Sequence, residues 1–358
     1  MTASTTAMGS NVILKDLLDK NREFALNGKG TTNHCPMALC ALTGMGASDQ
    51  RLQEFFAHWR DTYALPALPS LSPSEAISYE DFQAYLGKRE NFTDLQSCFA
   101  ILIAERGKNE VIREVLALVP FAPATAAFHA SIRLAYGVQA EHEGEIAAGL
   151  AALVATNFDI NFDIRGRQAA SSVAAGFYQL SQNMKGKTYP GRMIVEKMRA
   201  VVNDEEFLQS LSGIPVAHST DNLLDELALW AISAYGQTRD FTILHIVTCV
   251  NATRQLLPYL DKNMLTSKLL DLWIALCAAY VSVGAPALID AAQYESEMRA
   301  KHGQVSTWSE LFAEAINSND DHVIKFTYTC ALEISLHPNI LYQLVVMEML
   351  EAYTVSAS

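Results

Sequence analysis

Apolar residues recur along almost the whole chain with the spacing of a helix face. Leu14, Leu17 and Leu18 start the pattern, and later segments repeat it to about residue 353. Positions three or four apart lie on one face of an α-helix, so the spacing predicts helices that each bury one face. The sequence shows no convincing alternation of apolar and polar residues and no repeat at a fixed period. Strands and a solenoid are therefore disfavoured.

Capping residues and helix breakers divide this pattern into predicted helices. Residues 91–94 (NFTD) lead into a helix that Gly107 closes, and Asn109 is predicted to cap the next helix, which Pro120 ends. Further helices are predicted at about 124–138, 142–156, 168–184, 191–202, 222–236, 240–257, 264–283, 286–301, 307–316, 321–335 and 338–353. The segments 66–73 and 185–190 are predicted loops. We expect an all-α protein in which an N-terminal helical segment, residues 1–30, packs on one large domain, residues 31–358.

Composition narrows the class of protein. The 358 residues are 50% hydrophobic and 18% charged, which is enough for a large core, and the net charge of −13 argues against nucleic-acid and anionic-membrane partners. The N-terminus lacks the pattern of a secretory signal. Leu272–Ile289 is uncharged but is broken by Gly284, so it predicts a core helix rather than a membrane span. Six cysteines, mostly inside apolar stretches, indicate a reducing compartment. We expect a cytoplasmic protein.

Sequence signatures of the common cofactor and hydrolase sites are absent. The chain contains no GxGxxG after a strand, no GxxxxGK[ST], no HExxH, no GxSxG and no CxxC pair. The ExxH pairs of di-iron helical bundles are also missing. A dedicated dinucleotide domain is therefore not expected.

Four of the nine histidines lie in apolar helical turns, where each is the main ionisable group. They are His34, His129, His245 and His322. The other five neighbour charged, looping or proline-flanked sequence, and they are His58, His142, His218, His302 and His337. An inward histidine can be a hydrogen-bonded core residue, but four on separate helices could also bind one ion. Neutral imidazole suits divalent iron, zinc or copper, and the core of a helical bundle is a common place for such ligands.

Lys325 lies one helical turn after His322 and is followed by FTYTCAL, without a charge until Glu333. Burying an ammonium group costs several kcal/mol, or forces it to deprotonate, unless it has a partner. The position therefore predicts a chemical role, such as membership of a metal site. The alternative is that Lys325 reaches solvent from a helix edge, with its stem packed on apolar neighbours.

The segments that carry these residues resemble a known family. NHCPMALCALTGMGASDQRLQEFFAHW, AFHASIRLAYG, LHIVTCVNATR and DDHVIKFTYTCALE are similar, in this order, to the questin oxidase-like proteins, over about residues 33–330. The resemblance implies an all-helical fold with a buried metal site, and an oxidoreductase or monooxygenase that opens or cleaves rings of aromatic polyketides with dioxygen.

Carried onto this chain, the resemblance implies His34, His129, His245 and His322 as ligands of a metal ion, expected to be iron(II). Lys325 would be a carboxylated lysine, because carbamylation turns a buried cation into an anionic oxygen ligand. NADPH could serve as reductant, binding transiently since no nucleotide signature is present.

Three further residues are candidates for catalysis. Asp321, adjacent to His322, could accept a proton from a ligand histidine, although it and Asp320 could instead cap the helix. Arg133 and Tyr136, one and two turns after His129, could orient a phenolate or quinone oxygen. Their alternative role is an ordinary buried hydrogen-bonding pair.

Two other functions fit the same residues. A zinc hydrolase could use the same histidines and lysine, since lysine carbamates also occur in hydrolytic sites. A non-catalytic helical scaffold would need the histidines only as core residues.

Overall fold

The computed structural model describes residues 8, 11–68, 76–160, 162–215, 217 and 219–357, with side chains up to residue 353. Seventeen α-helices run through these residues, and the all-α prediction is confirmed. In the first half they are α1 (Val12–Asn21), α2 (Cys35–Met45), α3 (Asp49–Tyr63), α4 (Phe92–Arg106), α5 (Lys108–Leu118), α6 (His129–Gln139), α7 (Glu143–Ala155) and α8 (Val173–Met184). In the second half they are α9 (Ile194–Val201), α10 (Glu205–Ser210), α11 (Thr220–Thr238), α12 (Phe241–Leu256), α13 (Leu265–Ser282), α14 (Ala291–Lys301), α15 (Trp308–Asn317), α16 (Asp321–Leu336) and α17 (Leu341–Ala357).

Apart from two isolated β-bridges, strand structure in the described residues is limited to a small hairpin. β1 (Asn27–Gly28) pairs antiparallel with β2 (Thr31–Thr32), and Gly30 takes a positive φ of 73° in the turn between them. A residue without a Cβ adopts this backbone conformation at little cost. Short 3₁₀ turns lie at Phe82–Tyr85, Arg89–Asn91 and Leu257–Tyr259.

Four helices form a closed ring at the centre of the protein. α2 contacts α6, α6 contacts α12, α12 contacts α16, and α16 returns to α2. The other helices surround this ring: α7 covers α6, α11 and α13 pack on α12, and α15 and α17 pack on α16. Each ring helix is therefore enclosed, which explains why its sequence is apolar on nearly every face.

The N-terminal helix α1 packs against α2, α3 and α7. Its inward face is Leu14, Leu17 and Leu18, the residues that begin the apolar pattern. Asn11 caps it by accepting a hydrogen bond from the Leu14 N–H at 2.8 Å. The division of the chain at residue 30 stays a prediction.

Several helices begin elsewhere than predicted. The helix expected from 124 starts only at His129, because Ala126, Ala127 and Phe128 all have positive φ values. α5 starts at Lys108 with Gly107 as its N-cap, so Asn109 lies inside the helix and the predicted cap is wrong. α10 was not predicted.

The apolar segment predicted to be a core helix is α13. By length and composition this helix could cross a membrane, but 72% of its apolar window is buried inside the protein. Its end at Ser282 precedes a turn in which Gly284 has a positive φ. All six cysteines lie in the described part of the chain, where each is buried and none forms a disulfide.

Candidate metal centre

The four predicted histidines converge at the centre of the helix ring, each near the start of its helix. His34 is the N-cap of α2, His129 is the first residue of α6, His245 the fifth of α12 and His322 the second of α16. We call these four side chains the histidine cluster. Because each is close to a helix N-terminus, the four rings meet where four helices bring their positive ends together.

The ring nitrogens of the cluster approach each other closely. His34 Nε2 lies 2.7 Å from His129 Nε2, which lies 3.1 Å from His245 Nε2. The ring of His322 packs edge-on against that of His34, with centroids 4.7 Å apart. One ring nitrogen from each of His34, His129 and His322 falls within 4.8 Å of the others. Nitrogens bound to one ion at about 2.0–2.1 Å lie roughly 3 Å apart, so the spacing resembles a ligand set.

The opposite nitrogens of these rings are held by protein oxygens. His129 Nδ1 lies 2.7 Å from the Ala126 carbonyl oxygen, and His245 Nδ1 lies 2.7 Å from that of Phe241. A carbonyl oxygen only accepts, so both Nδ1 atoms carry the proton in the neutral rings. Both Nε2 atoms therefore present lone pairs to each other and to His34. This arrangement leaves Nε2 free to bind a cation.

Asp321 joins three members of the site through one carboxylate oxygen. Its Oδ1 lies 2.8 Å from His34 Nδ1, 3.0 Å from His322 Nδ1 and 3.3 Å from Lys325 Nζ. Asp320 is the helix cap, since its Oδ1 accepts from the backbone N–H of His322 at 2.8 Å. Asp320 thus caps the helix and also lies 3.7 Å from His322 Nδ1, while Asp321 is the carboxylate that contacts His34 and Lys325.

The ionisation of the cluster follows from burial and from Asp321. Burial lowers the pKa of His34 to about 4 against the pull of Asp321, and lowers the pKa of both His129 and His245 well below the usual value. Burial also opposes the charged form of His322, but Asp321 and Asp320 outweigh it and raise the pKa of His322. These shifts favour neutral imidazoles at His34, His129 and His245, as metal binding requires, and favour the protonated form of His322, which would lose its proton on binding an ion.

Lys325 is buried with Asp321 as its partner. It is 3% exposed, so the alternative that it reaches solvent is wrong. Burial lowers the pKa of the Lys325 amine, while Asp321 acts in the opposite direction. Burial would raise the pKa of the Asp321 carboxyl, but His34, Lys325 and His322 hold it well below its usual value.

His129 is positioned by a strained segment. Ala126, Ala127 and Phe128 have φ values of 50°, 54° and 73°, in the left-handed region that residues with a Cβ rarely adopt. The Ala126 carbonyl oxygen accepts from both the backbone N–H of His129, at 3.2 Å, and its ring Nδ1. Each such residue costs about 1–3 kcal/mol, and strain of this kind is typical of functional sites.

A cavity of about 570 Å³ opens onto the cluster. His34, His129 and Phe241 contribute to its lining, together with residues of the β1–β2 hairpin, Ala126 and Ala127 of the strained segment, and the chain around the start of α9. This cluster cavity is within the range of small-molecule sites, about 300–1,000 Å³.

Comparison with known proteins identifies the family. A model of proteins described as questin oxidase-like matches residues 31–330, which include all four histidines. The chain belongs to the questin oxidase-like family. Among characterised proteins, it is similar to a Baeyer-Villiger oxidase, AgnL3, of Paecilomyces divaricatus, with 31% identity over 145 residues. That match covers 37% of this chain and 32% of the relative, so it spans about a third of each.

In this questin oxidase-like chain, Arg133 and Tyr136 are not among the residues that line the cluster cavity. Arg133 pairs with Glu145 instead, through Nε at 2.8 Å and Nη2 at 3.0 Å, with both side chains buried. Tyr136 is buried beside Tyr328, with ring centroids 6.3 Å apart. These positions favour the structural role that the sequence left open, with Glu145 rather than Tyr136 as the partner of the arginine.

Sequence reasoning missed several contributors to the site. Phe241 holds His245 through its carbonyl oxygen, and its ring contacts both His245 and His322, with centroids 4.7 and 4.6 Å apart. In the sequence, the position of Phe241 directly after the N-cap Asp240 was the feature that could have indicated its role.

Among the five histidines not assigned to the cluster, His142 is also buried, as the N-cap of α7, and accepts from the Glu145 N–H. His218 lies outside the described residues.

Proposed function

We propose that this protein is an oxidoreductase that binds a divalent metal ion, iron(II), at the histidine cluster and oxidises an aromatic or quinonoid small molecule with dioxygen. The observation that carries the proposal is the approach of three Nε2 atoms, from His34, His129 and His245, to 2.7 and 3.1 Å. The names of the family and of its relative, both oxidases, supply the reaction class. Oxidative ring opening or carbon–carbon cleavage is the reaction that we propose.

The donor set fits a metal ion on chemical grounds. With Nδ1 of His129 and His245 donating to carbonyl oxygens, neutral Nε2 lone pairs face each other and repel unless a cation lies among them. His322 supports the same conclusion because its Nε2 is buried and has no hydrogen-bond partner among the described residues. A buried nitrogen of this kind is costly unless something binds it. A purely structural role would need a proton shared between the facing Nε2 atoms, and it would leave the buried His322 Nε2 without a partner in the described part of the chain.

Asp321 suits such an ion electrostatically. Its carboxylate contacts two of the proposed ligands and supplies negative charge beside a site that four helix N-termini make positive. Imidazoles and a carboxylate can hold zinc as well as iron, so the donor set alone does not select between them. The oxidase names favour iron.

Bound iron(II) would supply activation of dioxygen and a fixed point against which the substrate is oriented. The protein's own residues do the rest. Ala126 and Phe241 fix the orientation of His129 and His245 through their carbonyl oxygens. The ring of Phe241, itself 52% exposed, contacts the rings of His245 and His322 and borders the site on the solvent side.

Lys325 has two proposed states that differ in charge. As an ammonium it is the counter-ion of Asp321, at 3.3 Å. As a carbamate it would be anionic and could be a further oxygen ligand, but beside Asp321 it would need the metal's charge for compensation. Burial lowers the pKa of the Lys325 amine, which favours the neutral form that reacts with carbon dioxide. We propose that carboxylation, where it occurs, accompanies metal binding, and that NADPH acts as a transient reductant.

Elemental analysis of full-length protein, purified without chelators, tests the proposal. We expect about one iron per chain, a sharp loss of iron in His129→Ala, and retention in His58→Ala, which changes a histidine outside the cluster. Iron-dependent oxygen uptake should follow addition of chemically reduced 1,8-dihydroxyanthraquinone. Stoichiometric zinc without oxygen uptake would favour the hydrolase, and metal-free protein with full activity would exclude both.

A further inference from the structure

The cluster cavity has a charge opposite to that of the protein. Three arginines, Arg89, Arg192 and Arg199, line it, against a single acidic residue, Glu196. The whole chain has 26 basic and 39 acidic residues, so such a local excess of arginine is not expected from composition. A cleft lined by one sign of charge concentrates ligands of the opposite sign.

The one acidic residue is engaged with the backbone. Glu196 Oε2 accepts from the Arg192 N–H at 2.8 Å and from the Met193 N–H at 3.2 Å. These contacts close the start of α9, where the carboxylate also complements the helix dipole. Glu196 is therefore held at the helix start by backbone hydrogen bonds, which lower the pKa of its carboxyl together with the nearby charge of Arg192.

The arginines are available for a ligand. Within the described part of the chain, no carboxylate oxygen lies within ion-pair distance of the guanidinium of Arg89, Arg192 or Arg199. By contrast Arg165, which lies outside the cavity, pairs with Asp163 at 2.9 Å. The Arg199 guanidinium lies 4.2 Å from the centroid of the Phe158 ring, which lines a neighbouring cavity, so Arg199 borders both cavities. Three guanidinium groups around one cavity with no carboxylate at ion-pair distance suit an anionic ligand, because arginine binds carboxylate and similar oxygens with two parallel hydrogen bonds.

We propose that the substrate of this site is an aromatic compound with an ionised substituent, a carboxylate or an acidic phenolate, which Arg89, Arg192 and Arg199 bind at the cavity wall. The inference rests on the proposed function, since it takes the cluster cavity as the substrate site. The apolar lining, from Ala126, Phe241 and the residues around Met193, contacts the aromatic rings, and the histidines lie at the reacting end. The three arginines are specificity-determining residues and take no part in the chemistry.

Equilibrium binding of two matched compounds tests this without turnover. Anthraquinone-2-carboxylate carries the charge, and anthraquinone-2-carboxamide is its neutral counterpart of nearly the same shape. In calorimetric or fluorescence-quenching titrations of the full-length protein, we expect the carboxylate to bind about ten-fold or more tightly than the carboxamide. Raising the salt concentration should weaken the binding of the carboxylate and leave the binding of the carboxamide unchanged.

Substitutions locate the effect. Arg192→Gln, and the triple change Arg89→Gln, Arg192→Gln and Arg199→Gln, should progressively remove the preference for the carboxylate while leaving carboxamide binding unchanged. Arg192→Lys should retain part of the preference for the carboxylate. Arg165→Gln, which removes an exposed arginine outside the cavity, should retain the whole preference. The arginines are exposed, so melting curves of the variants should match that of the parent protein.

Other outcomes overturn the inference. Equal binding of the two compounds, no binding of the carboxylate, or an equal loss of both in Arg192→Gln would each do so. Displacement of the carboxylate by adenosine 2′,5′-bisphosphate would assign the arginines to a nucleotide reductant and overturn it as well. Metal content and oxygen uptake are measured separately, so a protein can pass that test and fail this one, or the reverse.

Discussion

Asp321 connects three members of the candidate site. One of its oxygens lies within 3.3 Å of two imidazoles and of the Lys325 amine. Removing its charge takes away the carboxylate closest to the buried Lys325 amine and to the Nδ1 atoms of His34 and His322, and leaves only Asp320, 3.7 Å from His322 Nδ1. This loss weakens the affinity of the cluster for a cation, because a carboxylate beside a ligand histidine raises its basicity.

Asp321→Asn should therefore reduce iron affinity by about 10–100-fold, measured by competition with a chromogenic chelator. Asp240→Asn is the matched control. It makes the same chemical change at the N-cap of α12, where the side-chain oxygen accepts from the backbone of Thr242 and Ile243. Asparagine caps a helix as well as aspartate does, so affinity should stay unchanged. Equal affinities in the two variants would contradict the role of Asp321.

Away from the site, ionisation of the half-buried Asp271 should destabilise the folded protein in a pH-dependent way. Burial raises the pKa of this carboxyl to about 6, although Lys268 acts against it. Since the pKa in the folded state exceeds that of the unfolded chain, the protonated acid favours folding, and this advantage is lost as the pH rises from about 4 through 6. Asp271→Asn should thus stabilise the protein by about 1–2 kcal/mol at pH 8 and by almost nothing at pH 4.

Urea denaturation at the two pH values measures this difference. Asp163→Asn serves as the control, because Arg165 lowers the pKa of the exposed Asp163 carboxyl to about 2, opposite in direction to Asp271. This variant should gain no stability at pH 8. A gain in Asp271→Asn that is the same at both pH values would contradict the assignment to ionisation.

The residues of the site differ in how far sequence predicts them. The histidines stand out because each is the main ionisable group of an apolar helical turn, and this context requires burial. The arginines of the cavity have no such signal: Arg89 and Arg192 lie in polar, exposed segments that only the tertiary fold brings together. Asp320 and Asp321 are adjacent and chemically identical, so only the position of the helix start separates the cap from the partner of His34.

At the scale of elements, the site depends on where helices begin. Apolar spacing predicts which segments are helical, but the start of α6 is set by three left-handed residues with side chains. No local preference favours that conformation at Ala126, Ala127 or Phe128. The prediction from sequence therefore placed the start of the helix at 124, five residues too early. The same segment supplies the carbonyl that orients His129. The predicted element is correct, and its boundary, which is the functional part, was wrong.

The close approach of α6 and α7 can be tested at Gly149. A Cβ built there would lie 2.6 Å from Leu134 Cα and 2.8 Å from Leu134 N, both backbone atoms of α6. Alanine gains about 1 kcal/mol of helix propensity over glycine, but overpacking against a backbone that cannot move costs about 1–3 kcal/mol or more. We expect the clash to prevail, with Gly149→Ala lowering the free energy of unfolding by about 1–2 kcal/mol.

Chemical denaturation measures this change, and Gly303→Ala is its control. A Cβ at Gly303 meets no atom within 4 Å, so this substitution should change stability by less than about 0.5 kcal/mol. A stable Gly149→Ala variant would show that α6 can move away from α7. Because α6 carries His129, that variant should then bind iron more weakly.

At the scale of the whole molecule, the proposed ligands connect distant parts of the chain. His34 and His322 come from helices near its two ends, while His129 and His245 come from between them, and the four helices already contact each other as a ring. All four histidines could bind one ion only when the four helices are folded and in contact. Its binding energy would then add to the stability of the whole fold.

Metal removal should therefore lower the melting temperature. A ligand present at 100 times its dissociation constant stabilises the folded state by about 2.7 kcal/mol, which for a protein of this size corresponds to several degrees. Anaerobic melting of iron-loaded and dipicolinate-stripped protein measures the shift, and His129→Ala should abolish it while His58→Ala retains it. A scaffold with merely buried histidines would melt at the same temperature in both forms. The ring helices would then be held by packing alone, and the approach of three Nε2 atoms to about 3 Å would need a shared proton rather than an ion.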